Sequence, residues 1–395
     1  MLSIEEALQK LLSAAHPVDT HEWLPLALAQ GRILATPLVS RVSVPPLDNS
    51  AMDGYAVRCS EWAKDHLFPV SQRIPAGRLG TDLAPGSVAR IFTGAPVPPN
   101  ADAIVMQEDC VVEGDHIRIT RQPGLGDHIR RASEDFATGQ VILSAGTRLG
   151  PAQIGLAAAA GAAILQVIRP LKVAVFFTGD ELKAPGEALG PGQIYNSNRA
   201  TLTALLHQIG CLVVDLGDVP DTLDATITAL QQATASADVI VTSGGVSVGE
   251  EDHVKAALTQ LGRLDMWKVA MKPGKPLAFG RIGEADFLGL PGNPVSAFVV
   301  FCLFARPFLQ ARMGMLPGHL TTFTIAAGFD KPKFGNRREF MRARIENGQA
   351  ILYPNQSSGA LSSLAWAEGL VDIPAETPIK CGDRVQYIPL ASLLS

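Results

Sequence analysis

Three short apolar runs, each stopping in a loop of small and polar residues, restrict this chain to a narrow class of folds. Val239, Ile240, Val241 and Thr242 run into Ser243, Gly244, Gly245, Val246 and Ser247. Val173 to Phe177 run into Thr178, Gly179, Asp180 and Glu181, and Phe287, Leu288 and Leu290 run into Pro291, Gly292, Asn293 and Pro294. Uninterrupted β-branched or apolar runs of this length suit strands buried on both faces. Laid parallel in one open sheet, they bring all three loops to its carboxyl edge, where α/β proteins bind ligands.

After the Ser243 loop come Glu250, Glu251 and Asp252, then a helical pattern in Val254, Ala257, Leu258 and Leu261. A strand leading through a glycine loop into a helix offers N–H groups, here of Gly244 and Gly245, and hydroxyls such as Ser247 to an anion. Carboxylates beside it can hold a divalent cation that bridges to that anion. The same stretch also reads as an ordinary connection with acids placed at a helix start.

The chain has 395 residues, room for two to four domains. Hydrophobic residues at 47% and charged residues at 18% describe a globular protein. A net charge of −5 gives no general attraction to nucleic acid or to an anionic membrane, so local basic groups must capture any anionic ligand. Cys59, Cys110, Cys211, Cys302 and Cys381 are scattered without a C-x-x-C pair, which fits a reducing cytoplasm rather than a zinc or disulfide framework. Glu5 and Glu6 stand where a signal peptide would be basic. Ser3 with Glu6 spells a capping box for a helix through Leu8, Leu11 and Leu12. The longest apolar run, Ala297 to Ala305, is far short of the roughly 20 residues of a membrane span, and the expectation is a soluble protein.

In chain order, Pro45 to Tyr55 spells turns that crowd Asn49, Ser50 and Asp53 into one rigid loop. Short strands are expected at Val88 to Phe92, Ala103 to Gln107 and His116 to Thr120. Arg130, Arg131, Glu134 and Asp135 form a charged cluster, by default a solvated surface. Lys172 to Leu309 alternates strand and helix, the pattern of a mostly parallel sheet. Leu202, Leu205, Leu206 and Ile209 make one helical face, and Asp221 is expected to cap a second helix with face Leu223, Ile227 and Leu230.

Period-two patterns at Leu264 to Met271 and Leu277 to Ile282 flank Pro273 and Gly274, which predicts a hairpin before the last parallel strand. It carries Lys268, Lys272 and Lys275; Lys268 and Lys272, four apart, would share a face on a strand. Three ammonium groups beside a ligand edge suit phosphates or an oxyanion, although edge lysines also guard strands against aggregation. Asn293 and Pro294 read as N-cap and N1 of a buried helix, Val295 to Leu309. Alternating segments at Phe323 to Ala326, Phe340 to Ile345 and Arg384 to Ile388 predict a small C-terminal β-barrel. The fold class expected is therefore multidomain α/β plus β: a central doubly wound, mostly parallel α/β domain, an inserted β-rich domain and a C-terminal β-barrel-like domain. Dinucleotide and P-loop motifs are absent.

Seven segments, Asp48 to Val57, Thr93 to Pro98, Thr178 to Leu182, Gln193 to Arg199, Ser243 to Asp252, Lys272 to Phe279 and Leu290 to Ser296, resemble in order and spacing the molybdopterin molybdenumtransferase family. These are the bacterial MoeA-type proteins, also related to the E domain of gephyrin; the C-terminal quarter matches through Arg342 and Ser357-Ser358 alone. The resemblance implies a cytoplasmic homodimer of elongated four-domain subunits. Its divisions would be 1-45 with 138-168 as a discontinuous N-terminal domain, 46-137 as the inserted domain, 169-316 as the α/β molybdopterin-binding domain, and 317-395 as the barrel.

It also implies the reaction, Mg²⁺-dependent insertion of molybdate into the dithiolene of adenylylated molybdopterin with release of AMP. Glu181, Asp221 and Asp252 would then hold the metal, and Lys272, Lys275, Arg342 and Ser358 the molybdate, with Lys268 in the same basic set. Gly179, Asp180, Ser243, Gly244, Gly245, Ser247, Lys275 and the Pro291, Gly292, Asn293, Pro294 loop would bind the pterin nucleotide. Asp53, Thr93 and Asp135 would reach the other subunit's α/β edge. Other cofactor-biosynthesis proteins and acceptor molybdoenzymes would be partners. Two departures stand out: Asn196 where many relatives have Asp, one negative charge fewer near the site, and Gly359 after Ser358 where relatives often carry a bulkier residue. A molybdopterin adenylyltransferase of the same fold and a non-catalytic cofactor carrier stay open as alternatives.

Overall fold

The computed structural model describes every residue except 246–252, 317, 319, 334 and 395, and the side chain of Met266. Its centre is a six-stranded sheet in the order Leu212–Val219, Lys172–Thr178, Val239–Ser243, Ala285–Leu290, Pro276–Ile282, Arg263–Lys268. The first four strands run parallel, and the last two form the expected antiparallel hairpin.

Strand periodicity sorts the Lys172–Thr178 side chains between two layers. Val173, Val175 and Phe177 enter one core with Leu202, Leu205 and Leu206 of the helix Ser197–Gln208. Ala174 and Phe176 enter another with Leu230 and Ala233 of the helix Leu223–Ser236 and with Val254, Ala257 and Leu258 of the helix His253–Leu261. Helices therefore cover both faces, which is why the strand needed an unbroken apolar run. Each buried Val, Leu or Phe side chain among them contributes about 1.5–3 kcal/mol.

The buried helix begins at Pro294 as expected, with Asn293 at the N-cap position but without a side-chain capping bond. It runs on past Leu309 to Arg312 through a π-helical segment, Phe301–Ala305. Pro307 has no N–H to give the carbonyl four residues earlier, and the wider turn just before it takes up that mismatch. By length and composition the Pro294–Arg312 helix passes the test for a membrane crossing, yet 72% of its most apolar window is buried within the fold.

Three β structures surround the α/β layer. His21–Pro25, Ile164–Ile168 and Ile33–Leu34 form a small sheet that joins the chain's start to the stretch just before Lys172. Between those two parts lies a second six-stranded sheet, in the order Ala103–Met106, Gly54–Val57, Val88–Ile91, Leu67–Ile74, His116–Ile119, Cys110–Glu113. At the other end Arg338–Glu346, Gln349–Leu352, Phe323–Ala327, Arg384–Pro389 and Gly369–Ile373 pair in sequence, and the last returns to the first, closing a five-stranded barrel. These architectures agree with the fold class expected from the sequence.

Two local expectations are corrected. Thr222, not Asp221, is the N-cap of the Leu223–Ser236 helix, its hydroxyl accepting from the Ala225 N–H. Lys268 and Lys272 do not share a strand face. The hairpin strand ends at Lys268, Val269 donates to the Lys275 carbonyl and Ala270 to that of Leu2, and Met271–Lys272 leaves to pair with Arg338 and Glu339 of the barrel. The N-terminal helix Ile4–Ala14, opened by the expected Ser3–Glu6 capping box, is fastened nearby through Glu5, which pairs with Arg338 at 2.6 Å.

At the opposite edge of the sheet Asp238 accepts from both Arg169 nitrogens at 2.7 Å and from the Lys172 N–H at 2.8 Å. Burial pushes its carboxyl up, but those bonds outweigh burial and hold it below the usual carboxylate range. A carboxyl depressed by folding stabilises above its unfolded pKa of about 3.9, and that stabilisation is lost as the pH falls through the lower folded value. Asp238→Asn should therefore cost about 1–3 kcal/mol at pH 7. The gap from wild type, measured by urea unfolding, should shrink as the pH is taken from 5 to 3.

Candidate functional site

Parallel register aligns the ends of three neighbouring strands, with Phe177 beside Ser243 and Ser243 beside Leu290. Ser243 is buried, and its hydroxyl donates to the Pro291 carbonyl at 2.8 Å while accepting from Asn198 Nδ2 at 2.8 Å. The same Asn198 amide donates to the Gly292 carbonyl at 2.7 Å. The Gly244 N–H is already given to the Leu290 carbonyl at 3.2 Å, so it does not serve as the free anion donor expected of it. The Gly245 N–H has no partner among the described residues. Gly245 has φ +62°, and a Cβ there would meet Val254 Cγ2 at 2.6 Å and Thr178 Oγ1 at 3.1 Å. The backbone thus lies at the sheet edge as only glycine allows.

Above this edge opens a cleft of about 930 Å³, walled by Gly244, Gly245, Pro291, Gly292, Asn293 and Ser296 below and by Gln356, Ser357 and Ser358 of the barrel above. Lys272, Lys275 and Arg337 line it as well. The Val295 N–H donates to the Ser358 carbonyl at 3.0 Å, which pins the barrel loop to the first turn of the buried helix. Lys272 sits 3.4 Å from Glu339, and the Lys275 ammonium has no partner among the described residues. Both lysines are exposed, so a pair of cations faces backbone and hydroxyl groups across the cleft.

The other expected residues fall into four groups. Gly179, Asp180, Glu181 and Asp221 follow the neighbouring strands whose last pair is Thr178 with Val219; they share the carboxyl edge but do not wall this cleft. Lys268 is exposed at the end of its hairpin strand, away from the cleft lining. Asp53, Thr93 and Asp135 lie on the separate β-rich part, where Asp53 Oδ1 accepts from Thr93 N and Oγ1, both at 2.8 Å, which holds the carboxyl below its ordinary range. Ser247 and Asp252 lie outside the described residues.

Arg342 is 1% exposed. Its guanidinium donates to Ser363 Oγ at 3.0 Å, Ser357 O at 3.1 Å and Phe340 O at 3.4 Å, and burial pulls it down to about 10. Its fork is therefore closed within the chain rather than open to an oxyanion, and it positions the Ser357–Ser358 loop from behind.

Glu181 and Asp221 supply hard oxygen donors, and Mg²⁺ needs only one or two carboxylates when phosphate oxygens and water complete its shell. That donor chemistry fits the metal that the family resemblance implies. Among the described residues no group of three or more His, Cys, Asp or Glu is placed to hold a metal, and the third expected carboxylate is Asp252.

Sequence reasoning passed over Asn198, Gln356 and Arg337. Asn198 follows the flagged Asn196 by two residues, but an isolated amide gives no signal of the two loops it joins. Asn196 itself is 2% exposed, caps the Ser197–Gln208 helix by accepting from the Arg199 N–H, and donates to Asp218 Oδ1 at 2.6 Å. Its amide is therefore matched to a carboxylate, which is a structural reason for Asn here. Asn196→Asp would set two carboxylates face to face and should cost about 1–3 kcal/mol at neutral pH. Thermal unfolding should show that loss easing as the pH falls through the raised pKa of the pair.

Three family models match the chain: a MoeA N-terminal region (domain I and II) over residues 2–161, a probable molybdopterin binding domain over 174–311, and a MoeA C-terminal region (domain IV) over 324–390. The molybdopterin molybdenumtransferase of Haemophilus influenzae is 40% identical over 348 residues, 87% of this chain and 85% of that one. Molybdopterin molybdenumtransferase 2 of Mycobacterium tuberculosis is 38% identical over 98% of this chain and 99% of its own. Among solved structures, a molybdopterin biosynthesis MoeA protein of Pyrococcus horikoshii superposes with a TM-score of 0.84 at 28% identity, covering 98% of this chain and all of that one.

Proposed function

The chain belongs to the molybdopterin molybdenumtransferase family, and from that premise we propose that it inserts molybdate into adenylylated molybdopterin and releases AMP. The observation that carries this reading is the shared cleft. Glycine backbone at a parallel-sheet edge suits phosphates, and two lysines with a serine hydroxyl across the opening suit a tetrahedral dianion. One cleft thus presents complementary groups for both substrates.

In this reading the Gly245 N–H and the Pro291–Asn293 loop orient the pterin nucleotide, while Lys272, Lys275 and Ser358 hold the molybdate oxygens. Arg342 keeps Ser358 in place through the Ser357 carbonyl and lends positive charge from behind the wall. Mg²⁺ held by Glu181, Asp221 and Asp252 would supply neutralising charge at the pyrophosphate. Asp53, Thr93 and Asp135 belong to a second copy of the chain that closes the cleft in a homodimer. We retain the domain division 1-45 with 138-168, 46-137, 169-316 and 317-395; the His21–Pro25, Ile164–Ile168, Ile33–Leu34 sheet and the six-stranded sheet inserted within it support its first two parts. A cytoplasmic enzyme of this kind would receive its substrate from other cofactor-biosynthesis proteins and pass its product to acceptor molybdoenzymes.

The test supplies purified protein with adenylylated molybdopterin, Mg²⁺ and molybdate and measures AMP. AMP release that depends on molybdate is the expected result. Pyrophosphate released from ATP and metal-free molybdopterin would instead identify an adenylyltransferase, and neither product would leave a carrier. A charge-assisted hydrogen bond contributes about 1.5–3 kcal/mol, so Lys275→Ala should raise the half-saturating molybdate concentration roughly ten- to a hundredfold. An unchanged molybdate dependence would remove Lys275 from the oxyanion site.

A further inference from the structure

Behind the hairpin tip lies a second cavity, of about 360 Å³, which shares Lys272, Pro273, Arg337 and Gln356 with the cleft just described. Lys331 and Lys333 of the barrel complete a basic wall. Among the described residues of that lining Glu339 is the one acid. Its side chain is 11% exposed and holds Lys331 Nζ at 3.0 Å and Lys272 Nζ at 3.4 Å, so two lysines share one carboxylate. Arg337 donates only a long bond, to the Met271 carbonyl at 3.4 Å, and neither it nor Lys333 makes an ion pair among the described residues.

Four side-chain cations, Lys272, Lys331, Lys333 and Arg337, thus face one anion. Like charges gathered around a small cavity repel, and the repulsion is relieved when a compact anion enters. Lys272 stands on the partition between the two cavities, held by Glu339 at a distance loose for an ion pair. Its ammonium can exchange a carboxylate oxygen for the oxygen of an arriving anion on either side.

We propose that this second cavity is an antechamber that binds a free tetrahedral dianion, of the molybdate, tungstate or sulfate class, before it passes Lys272 into the reaction cleft. The proposal rests on the molybdate-inserting reading above and adds to it a second oxyanion site, built from Lys331, Lys333 and Arg337. The same chemistry would take a nucleotide phosphate, so the experiment must separate the two sources.

Equilibrium dialysis of the full chain against tungstate at low salt, without pterin nucleotide, counts the sites. Wild type should bind two oxyanions per chain, and Lys331→Ala/Lys333→Ala, at two positions that line the second cavity and not the reaction cleft, should bind one. Lys333→Ala alone removes an exposed side chain that makes no ion pair among the described residues, and should weaken one site at least threefold with an unchanged Tm. Lys275→Ala should spare the antechamber and weaken the other site. One oxyanion per wild-type chain, or two in the double variant, would overturn the antechamber while leaving the reaction cleft intact. Displacement of the second oxyanion by AMP would overturn it in favour of a nucleotide phosphate site. No oxyanion bound by wild type would sink the antechamber and the molybdate reading together.

Discussion

The Ser243 hydroxyl holds the carboxyl edge of the sheet together. It donates to the Pro291 carbonyl and accepts from Asn198, whose amide also reaches Gly292. Three segments far apart in sequence therefore meet at one buried oxygen. Breaking that set would leave buried polar groups unpaired at about 1–3 kcal/mol each, and would free the loops that form the cleft floor. The bonds exist because the strands are parallel and in register, so that Ser243 ends level with Leu290. Burial of Val239, Val241, Leu288 and Leu290 on one face and of Ile240 and Phe287 on the other fixes that register.

The second constraint is the departure of Met271–Lys272 from the hairpin. By pairing with Arg338–Glu339 it fastens the barrel to the α/β layer and carries Lys272 to the boundary of two cavities. The Val295–Ser358 bond fastens the same two parts from the other side. The cleft is thus a seam between the α/β layer and the barrel, whose Phe340, Leu370 and Ile388 continue the same apolar core, with backbone donors supplied by one wall and cations standing along its rim. Electrostatic preorganisation follows: the positive groups are in place before any anion arrives, and Arg342 supports the barrel wall without entering the cleft.

Much of this was legible in the sequence, for reasons that differ by element. Strands buried on both faces must be continuously apolar, so Val173 to Phe177 and Val239 to Thr242 announced themselves. The hairpin showed its period of two, and the Ser3–Glu6 box needs only neighbours. What failed depended on distant partners. Lys268 and Lys272 looked like one face because nothing local says that the strand breaks to join Arg338. Arg342 looked like an open fork because its burial is set by Ser357, Ser363 and Phe340. Thr222 displaced Asp221 as the cap by a single residue, a difference of backbone angle rather than composition. Asn198 gave no signal, since a bridging amide is defined only by the loops it bridges.

If the glycine-bearing sheet edge receives the pterin nucleotide, a side chain at Gly245 must weaken that binding. A methyl group there would press on Val254 at 2.6 Å with φ at +62°, whereas Gly77, with φ +81°, has nothing within 4 Å of its added Cβ. Gly77→Ala therefore reproduces the backbone strain away from the edge. Titrating both variants with adenylylated molybdopterin, with Tm as a folding control, should show Gly245→Ala binding at least tenfold more weakly and Gly77→Ala binding as wild type does. Wild-type affinity in a folded Gly245→Ala protein would contradict the account.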